Sequence, residues 1–250
     1  MPTPHARSEI ILGQDGLEYL YNRHVAVVGI GGVGSFAAEA IGRSGIGRIT
    51  LVDHDVVGPS NLNRQLVALK STLGRNKAEI MAERIGDIHP EVTVEACRDF
   101  ITPDTVDEFV TGGGFDYVLD CIDSIACKSA LVAACQRHGV PVASALGAGN
   151  RLDVTQVHIT KLNQTEGCPL AREMRKALKR LGARLNYPVV YSSERPSKAL
   201  PHQPVGGNIP GRPRAVNGTV SWMPGLFGIM LAGFVVTQLL EGMNNGRRPG

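Results

Sequence analysis

The chain has 250 residues, 43% hydrophobic and 20% charged, which suits one packed α/β domain and excludes a disordered segment. Net charge is only +3, yet residues 161–214 carry eleven Lys/Arg against three acids, net +8, leaving −5 on the rest and suggesting a polyanionic partner. Its five cysteines are closest at Cys121 and Cys127, six apart, which excludes a disulfide framework or a CxxC zinc knuckle; reduced thiols and no structural zinc are expected.

Residues 1–9 hold no apolar run and so no secretory signal, and a cytoplasmic protein is expected. Residues 24–30 (HVAVVGI) read as a strand buried on both faces. Glycines follow, then Val33, Ala37, Ala40 and Ile41 at helical spacing, then a second strand over 48–53 (RITLVD). Helices are expected at about 75–88, 103–110 and 124–138, with strands at 92–96, 116–122 and 140–145. Strands alternating with helices at these lengths predict a doubly wound, Rossmann-like α/β fold with a mainly parallel sheet.

After Gly149 the pattern changes, and residues 154–162 and 188–192 read as strands of an irregular, partly antiparallel C-terminal extension. One domain over 1–250 is expected, with a nucleotide-binding core (1–150) and a substrate-side extension (151–250). Pro and Gly crowd residues 194–218, which predicts a mobile loop at about 195–217. Residues 222–240 carry no formal charge, a length at the threshold of a membrane span. Pro224, Gly225, Gly228, Gly233, Thr237 and Gln238 interrupt the run, so a buried helix closing the domain is favoured over membrane association.

Gly29, Gly31, Gly32 and Gly34 stand between a strand and a helix, where bare backbone can approach a phosphate and the helix start favours negative charge. Asp53 lies nineteen residues beyond Gly34, at the end of the second strand, placed to accept from ribose hydroxyls. These features fit an NAD-dependent dehydrogenase as well as an ATP enzyme. The next stretch separates the two: Asp55, Asn61, Asn63, Arg64 and Gln65, then Lys77, add cations and amides that a triphosphate undergoing substitution needs and a dinucleotide does not. Asp123 ends the fourth strand, where it can hold Mg²⁺ or cap the helix that follows; with Arg64 and Lys77 present, the metal is favoured.

These stretches resemble the ThiF and MoeB family of ubiquitin-activating-enzyme-like adenylyltransferases: GIGGVG (29–34), LVDHD (51–55), SNLNRQ (60–65), GRNKAE (74–79) and DCIDS (120–124). The resemblance implies that Asp53 holds the ribose, that Asn61, Arg64 and Lys77 contact the phosphates of ATP, and that Asp123 serves Mg²⁺. It also implies a homodimer in which Arg7 is lent to the partner's ATP; a second arginine usual before it is missing, with His5 and Ala6 there instead. Further stretches (144–156, 168–180, 189–196 and 218–233) are similar to a tRNA-modifying subgroup. That likeness implies ATP-dependent activation of the threonylcarbamoyl carboxylate on the adenosine beside the anticodon, then dehydrative cyclisation. Cys168 departs from the Asp usual there.

A carboxylate must lose oxide to act as an acyl donor, so conversion to an acyl-adenylate makes AMP the leaving group, and an intramolecular ring closure then needs no enzyme thiol. Cys168 therefore reads as a small buried residue. The alternative, adenylation of a ubiquitin-like sulfur-carrier protein, lacks the paired CxxC zinc motifs of such relatives; docking of a sulfur-transfer protein stays open. A nucleotide-binding scaffold without turnover is the non-enzymatic reading. Arg172, Arg175, Lys176, Lys179 and Arg180 recur on one helical face, with Leu170, Met174, Leu178, Leu181 and Leu185 lining another, which reads as a tRNA-binding stripe.

Overall fold

The computed structural model describes residues 4–198 and 217–246. Among these the strands are β1 (His24–Val28), β2 (Arg48–Val52), β3 (Thr93–Cys97), β4 (Tyr117–Asp120), β5 (Val142–Ala145), β6 (Val157–Lys161) and β7 (Pro188–Ser192). They form one sheet in the order β3-β2-β1-β4-β5-β7-β6, parallel except for the antiparallel β6–β7 pair. Order reverses between β1 and β4, and the carboxyl ends of strands at such a reversal form the crevice where doubly wound folds bind ligands.

The helices are α1 (Ala6–Tyr21), α2 (Gly34–Gly42), α3 (Lys77–Ile88), α4 (Val106–Gly113), α5 (Ile125–Arg137), α6 (Pro169–Arg180) and α7 (Trp222–Gly246). Both faces of the sheet are covered, which is why β1, β4 and β5 are buried at every position and mostly apolar. On one face Ala37, Ala38 and Ile41 of α2 and Met81 and Ile85 of α3 share a core with α7; on the other, Val106 and Val110 of α4 pack with Leu131 of α5 and Met174 and Leu178 of α6.

The apolar run near the C-terminus is a core helix. Trp222–Met243 is long and apolar enough to cross a membrane, with mean hydropathy 1.8, but half of that window is buried within the fold. Met223, Phe227, Leu231, Val235 and Leu239 recur every four residues, and this stripe faces the core beside α2.

Two elements differ from the sequence reading. Helix α1 was not expected; it has a break at Gly13 and exposes Ile10 and Ile11, so its apolar periodicity is weak. The strand expected from 154 begins only at Val157, because the Asp153 carboxylate accepts from the Thr155 amide (2.9 Å) and closes a 3₁₀ turn at Val154–Gln156. Residues beyond 150 extend the same sheet, since β7 pairs in parallel with β5. Of the mobile loop expected at 195–217, residues 199–216 lie outside the described residues. The described flanks meet at Asn150, in the left-handed region at φ 58°: its carbonyl accepts from the Ser197 amide (2.8 Å) and its Oδ1 from the Gly218 amide (2.7 Å).

Candidate active site

A cavity of about 860 Å³ opens at the carboxyl ends of β1, β2, β4 and β5. Gly29, Gly31, Gly32, Asp53, Asp55, Asn61, Arg64, Gln65, Lys77 and Asp123 all line it, so the sequence-predicted glycine turn, cations and carboxylates converge on one crevice. That volume suits a nucleotide-sized ligand.

The glycine turn is built by close backbone approach. Gly29 has φ +92°, and a Cβ there would lie 2.9 Å from the Cys121 carbonyl oxygen. Gly34 opens α2, but it packs instead of lining the cavity: a Cβ on it would fall 1.6 Å from the Gly29 carbonyl oxygen. With side chains excluded, the amides that begin α2 can face a phosphate.

Asp53 is buried at the end of β2. Its Oδ2 accepts from the Ile30 amide (2.6 Å) and its Oδ1 from the Asp55 amide (2.8 Å), which ties the glycine turn to the β2 loop. Burial holds its carboxyl above the ordinary aspartate range, against the pull of Lys77 and the two amides. Protonation of Asp53 therefore begins at higher pH than for an exposed aspartate. If it accepts from the ribose, ATP affinity should fall as pH drops through that raised range, relative to an Asp53→Asn variant titrated with the same nucleotide. Parallel pH profiles for the two proteins would dismiss Asp53 as a nucleotide contact.

Lys77 is 5% exposed, and its Nζ donates to Asp55 Oδ2 at 2.8 Å. Asn76 caps α3 by accepting from the Ala78 and Glu79 amides, and its Nδ2 donates to the carbonyls of Asp53 and Asp55, which fixes where Lys77 stands. Arg64 is half-buried; its Nη1 donates to the Ser60 carbonyl (2.8 Å) and to Asn63 Oδ1 (2.9 Å). Asn63 does not line the cavity; its Nδ2 donates to the Thr219 carbonyl, so it orients Arg64 and holds the flank of α7. Asn61 Oδ1 accepts from the Gly58 amide, a local cap that leaves its residue on the cavity wall.

Asp123 is exposed on the cavity wall, in the turn between β4 and α5. That turn rests on a buried network that the sequence reading missed. Lys128 and Asp120 are fully buried, with Nζ 2.9 Å from Asp120 Oδ2, and Nζ also donates to the Ile122 carbonyl at 2.9 Å. Ser144 Oγ donates to Asp120 Oδ2 (2.6 Å), and the Ile122 amide to Asp120 Oδ1 (3.1 Å). A lone lysine inside the apolar helix of 125–137 was the available signal.

Cys168 is buried immediately before α6 and lines the cavity; Cys121 also lines it, and burial pushes its thiol up to about 12, where it is no nucleophile at neutral pH. On α6, Arg172, Lys176, Lys179 and Arg180 are exposed, with Glu173 paired to Lys176 and Arg172. Arg175 turns inward: its Nη1 donates to the carbonyls of Leu162 and Thr165 and to Thr165 Oγ1, so it supports the fold and leaves the outer stripe to the other four. Arg7 is exposed and does not line the cavity; His5 near it meets His89 edge to face (4.7 Å between ring centroids) at the end of α3.

The ThiF family profile matches residues 5–247. A relative from Bacillus subtilis (strain 168), named tRNA threonylcarbamoyladenosine dehydratase, is 40% identical over 240 residues, 94% of this chain and 94% of its own. A relative of the same name from Escherichia coli (strain K12) is 47% identical over 169 residues, 68% of this chain and 63% of its own. The crystal structure of E. coli tRNA N6-threonylcarbamoyladenosine dehydratase with AMP superimposes with a TM-score of 0.85 at 35% identity, covering 98% of this chain and 99% of that one. The same enzyme solved with ATP gives 0.84.

Proposed function

The chain belongs to the ThiF family, and from that premise we propose that it is an ATP-dependent dehydratase of threonylcarbamoylated tRNA. The carrying observation is the convergence of the glycine turn, Arg64, Lys77 and Asp123 on one cavity whose far wall begins the cationic helix α6. ATP lies with its ribose at Asp53 and its phosphates along the amides that open α2, and Arg64 and Lys77 offset charge on the outer phosphates as pyrophosphate leaves. The cavity fits Mg²⁺ at Asp123, a carboxylate on the wall, since that ion needs few protein ligands; when bound it supplies charge neutralisation at the phosphates. Asp53, His54 and Asp55 also gather ligand atoms within 4.8 Å on the same cavity, a second set of donors that could share the ion.

The substrate carboxylate attacks the α-phosphorus of ATP, forming the acyl–oxygen–phosphorus link as the bond to pyrophosphate breaks. Ring closure then joins a nucleophilic atom of the same threonylcarbamoyl group to the activated carbonyl carbon, with loss of its proton, as the bond to AMP breaks and AMP leaves. The first step needs the carboxylate positioned against the α-phosphorus and the second needs the group's own nucleophile positioned against the acyl carbon, which is work for side chains on the β5 side of the cavity.

The tRNA reaches the cavity along α6. Leu170 and Glu173 line the cavity, and further along the helix Lys176, Lys179 and Arg180 stand within roughly 6 Å of axial rise, enough to meet one or two backbone phosphates. Replacing these three by Ala should weaken tRNA binding and reduce the steepness of its salt dependence by roughly one unit for each phosphate no longer neutralised, with ATP affinity unchanged. A salt slope equal to wild type would exclude the stripe. A homodimer in which Arg7 completes the partner's site is supported by Ile10 and Ile11 on the same helix, 80% and 85% exposed. A tRNA substrate is consistent with a cytoplasmic reaction, and the core-packed stripe of α7 offers no reason for a membrane. Sulfur-carrier adenylation has less support than the dehydratase reading, and docking of a sulfur-transfer protein rests on no feature of this cavity.

The decisive experiment is mass spectrometry of anticodon-loop nucleosides after the protein acts on threonylcarbamoylated tRNA with ATP and Mg²⁺. The modified adenosine should lose one water, with pyrophosphate and AMP released; an unchanged nucleoside mass would reject the proposal.

A further inference from the structure

Arg151 is a buried cation in the wall of the cavity, and no anion among the described residues pairs with it. It is 4% exposed, in the segment between β5 and β6. Its Nε donates to the Glu194 carbonyl (3.1 Å), and Nη1 to the carbonyls of Gly147 and Gly149. Nη2 is closed off from solvent and meets no acceptor among the described residues. The Glu194 carboxylate is engaged elsewhere, accepting from the amides of Leu152 and Asp153. Carbonyl dipoles orient a guanidinium but leave its charge uncompensated, and a buried charge is costly until an anion meets it.

On the reading under Proposed function two anions enter this cavity: the phosphates of ATP and the carboxylate to be activated. The phosphates have their own donors at the glycine turn, Arg64 and Lys77, around β1 and β2. Arg151 follows β5, which lies two strands from β1, roughly 10 Å across the sheet. Its neighbours on the wall are Gly147, Asn150, Cys168 and Leu170, on the side where α6 begins. We infer that Arg151 is the recognition residue for the substrate carboxylate, its uncompensated buried charge drawing that anion to the β5 side of the cavity, against the α-phosphorus. A guanidinium fits this task because it keeps its charge at any working pH, even when buried. Arg151 thereby selects threonylcarbamoyladenosine over the same nucleoside without an anionic end.

This inference depends on the dehydratase reading, and its test keeps the two separate. Binding is measured for an anticodon stem-loop bearing threonylcarbamoyladenosine and for its carboxamide analogue, with ATP affinity recorded on each protein as a check of the folded site. Wild type should prefer the carboxylate on the order of ten- to a hundredfold. Arg151→Met should bind the two alike while keeping ATP affinity, and Arg151→Lys should restore part of the preference. Equal affinity of wild type for the two stem-loops overturns the inference without any variant. Undiminished preference in Arg151→Met also overturns it, as does an equal loss for both stem-loops, which would mark loop support only. Should wild type fail to dehydrate the modified stem-loop at all, the dehydratase reading falls, and the inference with it.

Discussion

Replacing Lys77 by Met is expected to lower ATP-dependent pyrophosphate release by about 10²–10³-fold, the scale for removing one preorganised charged donor from a site of phosphoryl or acyl chemistry. The side chain enters the cavity from the first turn of α3, buried, with Nζ 2.8 Å from Asp55 Oδ2. Its loss removes a cation and also exposes the carboxylates of Asp53 and Asp55 to an incoming triphosphate. ATP affinity should therefore fall together with turnover, and the defect should be weaker for AMP, which carries less charge. Arg64→Ala should show a smaller loss, since that side chain is half-buried and partly satisfied by Ser60 and Asn63. Calorimetric titration with ATP and AMP beside a pyrophosphate assay decides the matter. Activity within threefold of wild type would remove Lys77 from the chemistry.

The parts of this site most legible in the sequence were those written into short local patterns. A buried strand, four glycines and a helix start must be contiguous to make a phosphate turn, and Asp53 must end the neighbouring strand, so both were readable from order and spacing. Arg64 and Lys77 followed because their charge is out of keeping with a dinucleotide site. What spacing could not reveal was direction. Helical periodicity groups Arg175 with Lys176 and Lys179, but only the fold shows that carbonyls of Leu162 and Thr165 lie within its reach. Arg151 and Lys128 were passed over for a related reason, since each answers to groups distant in sequence or hidden by packing: Arg151 to the Glu194 carbonyl, Lys128 to the end of β4. Helix α1 gave little apolar signal because Ile10 and Ile11 face outward.

The second large effect is expected at Lys128. Substituting Met should destabilise the fold by about 3–5 kcal/mol, because it leaves the Asp120 carboxylate buried without its counter-charge. For a chain of this length that corresponds to a fall in Tm of roughly 6–20 °C. Both partners are 0% exposed, so solvent does not screen the pair. Burial already raises the Asp120 carboxyl above the ordinary range even with Lys128 and Ser144 beside it. Without the lysine the acid should take up a proton more readily, so the variant should lose least at low pH and most at neutral pH, where an ionised Asp120 is unsupported. The sign follows from linkage: a folded-state pKa raised further above its unfolded value lends stability that is full below the unfolded value and disappears as pH climbs through the folded one. Asp120→Asn combined with Lys128→Met removes both charges and should recover part of the loss. Because Nζ also holds the Ile122 carbonyl, one residue before Asp123, the single variant should disturb turnover even where it remains folded. Urea denaturation of the two variants at pH 5 and 7 tests this; a Lys128→Met midpoint equal to wild type at pH 7 would show that the pair contributes nothing to the fold.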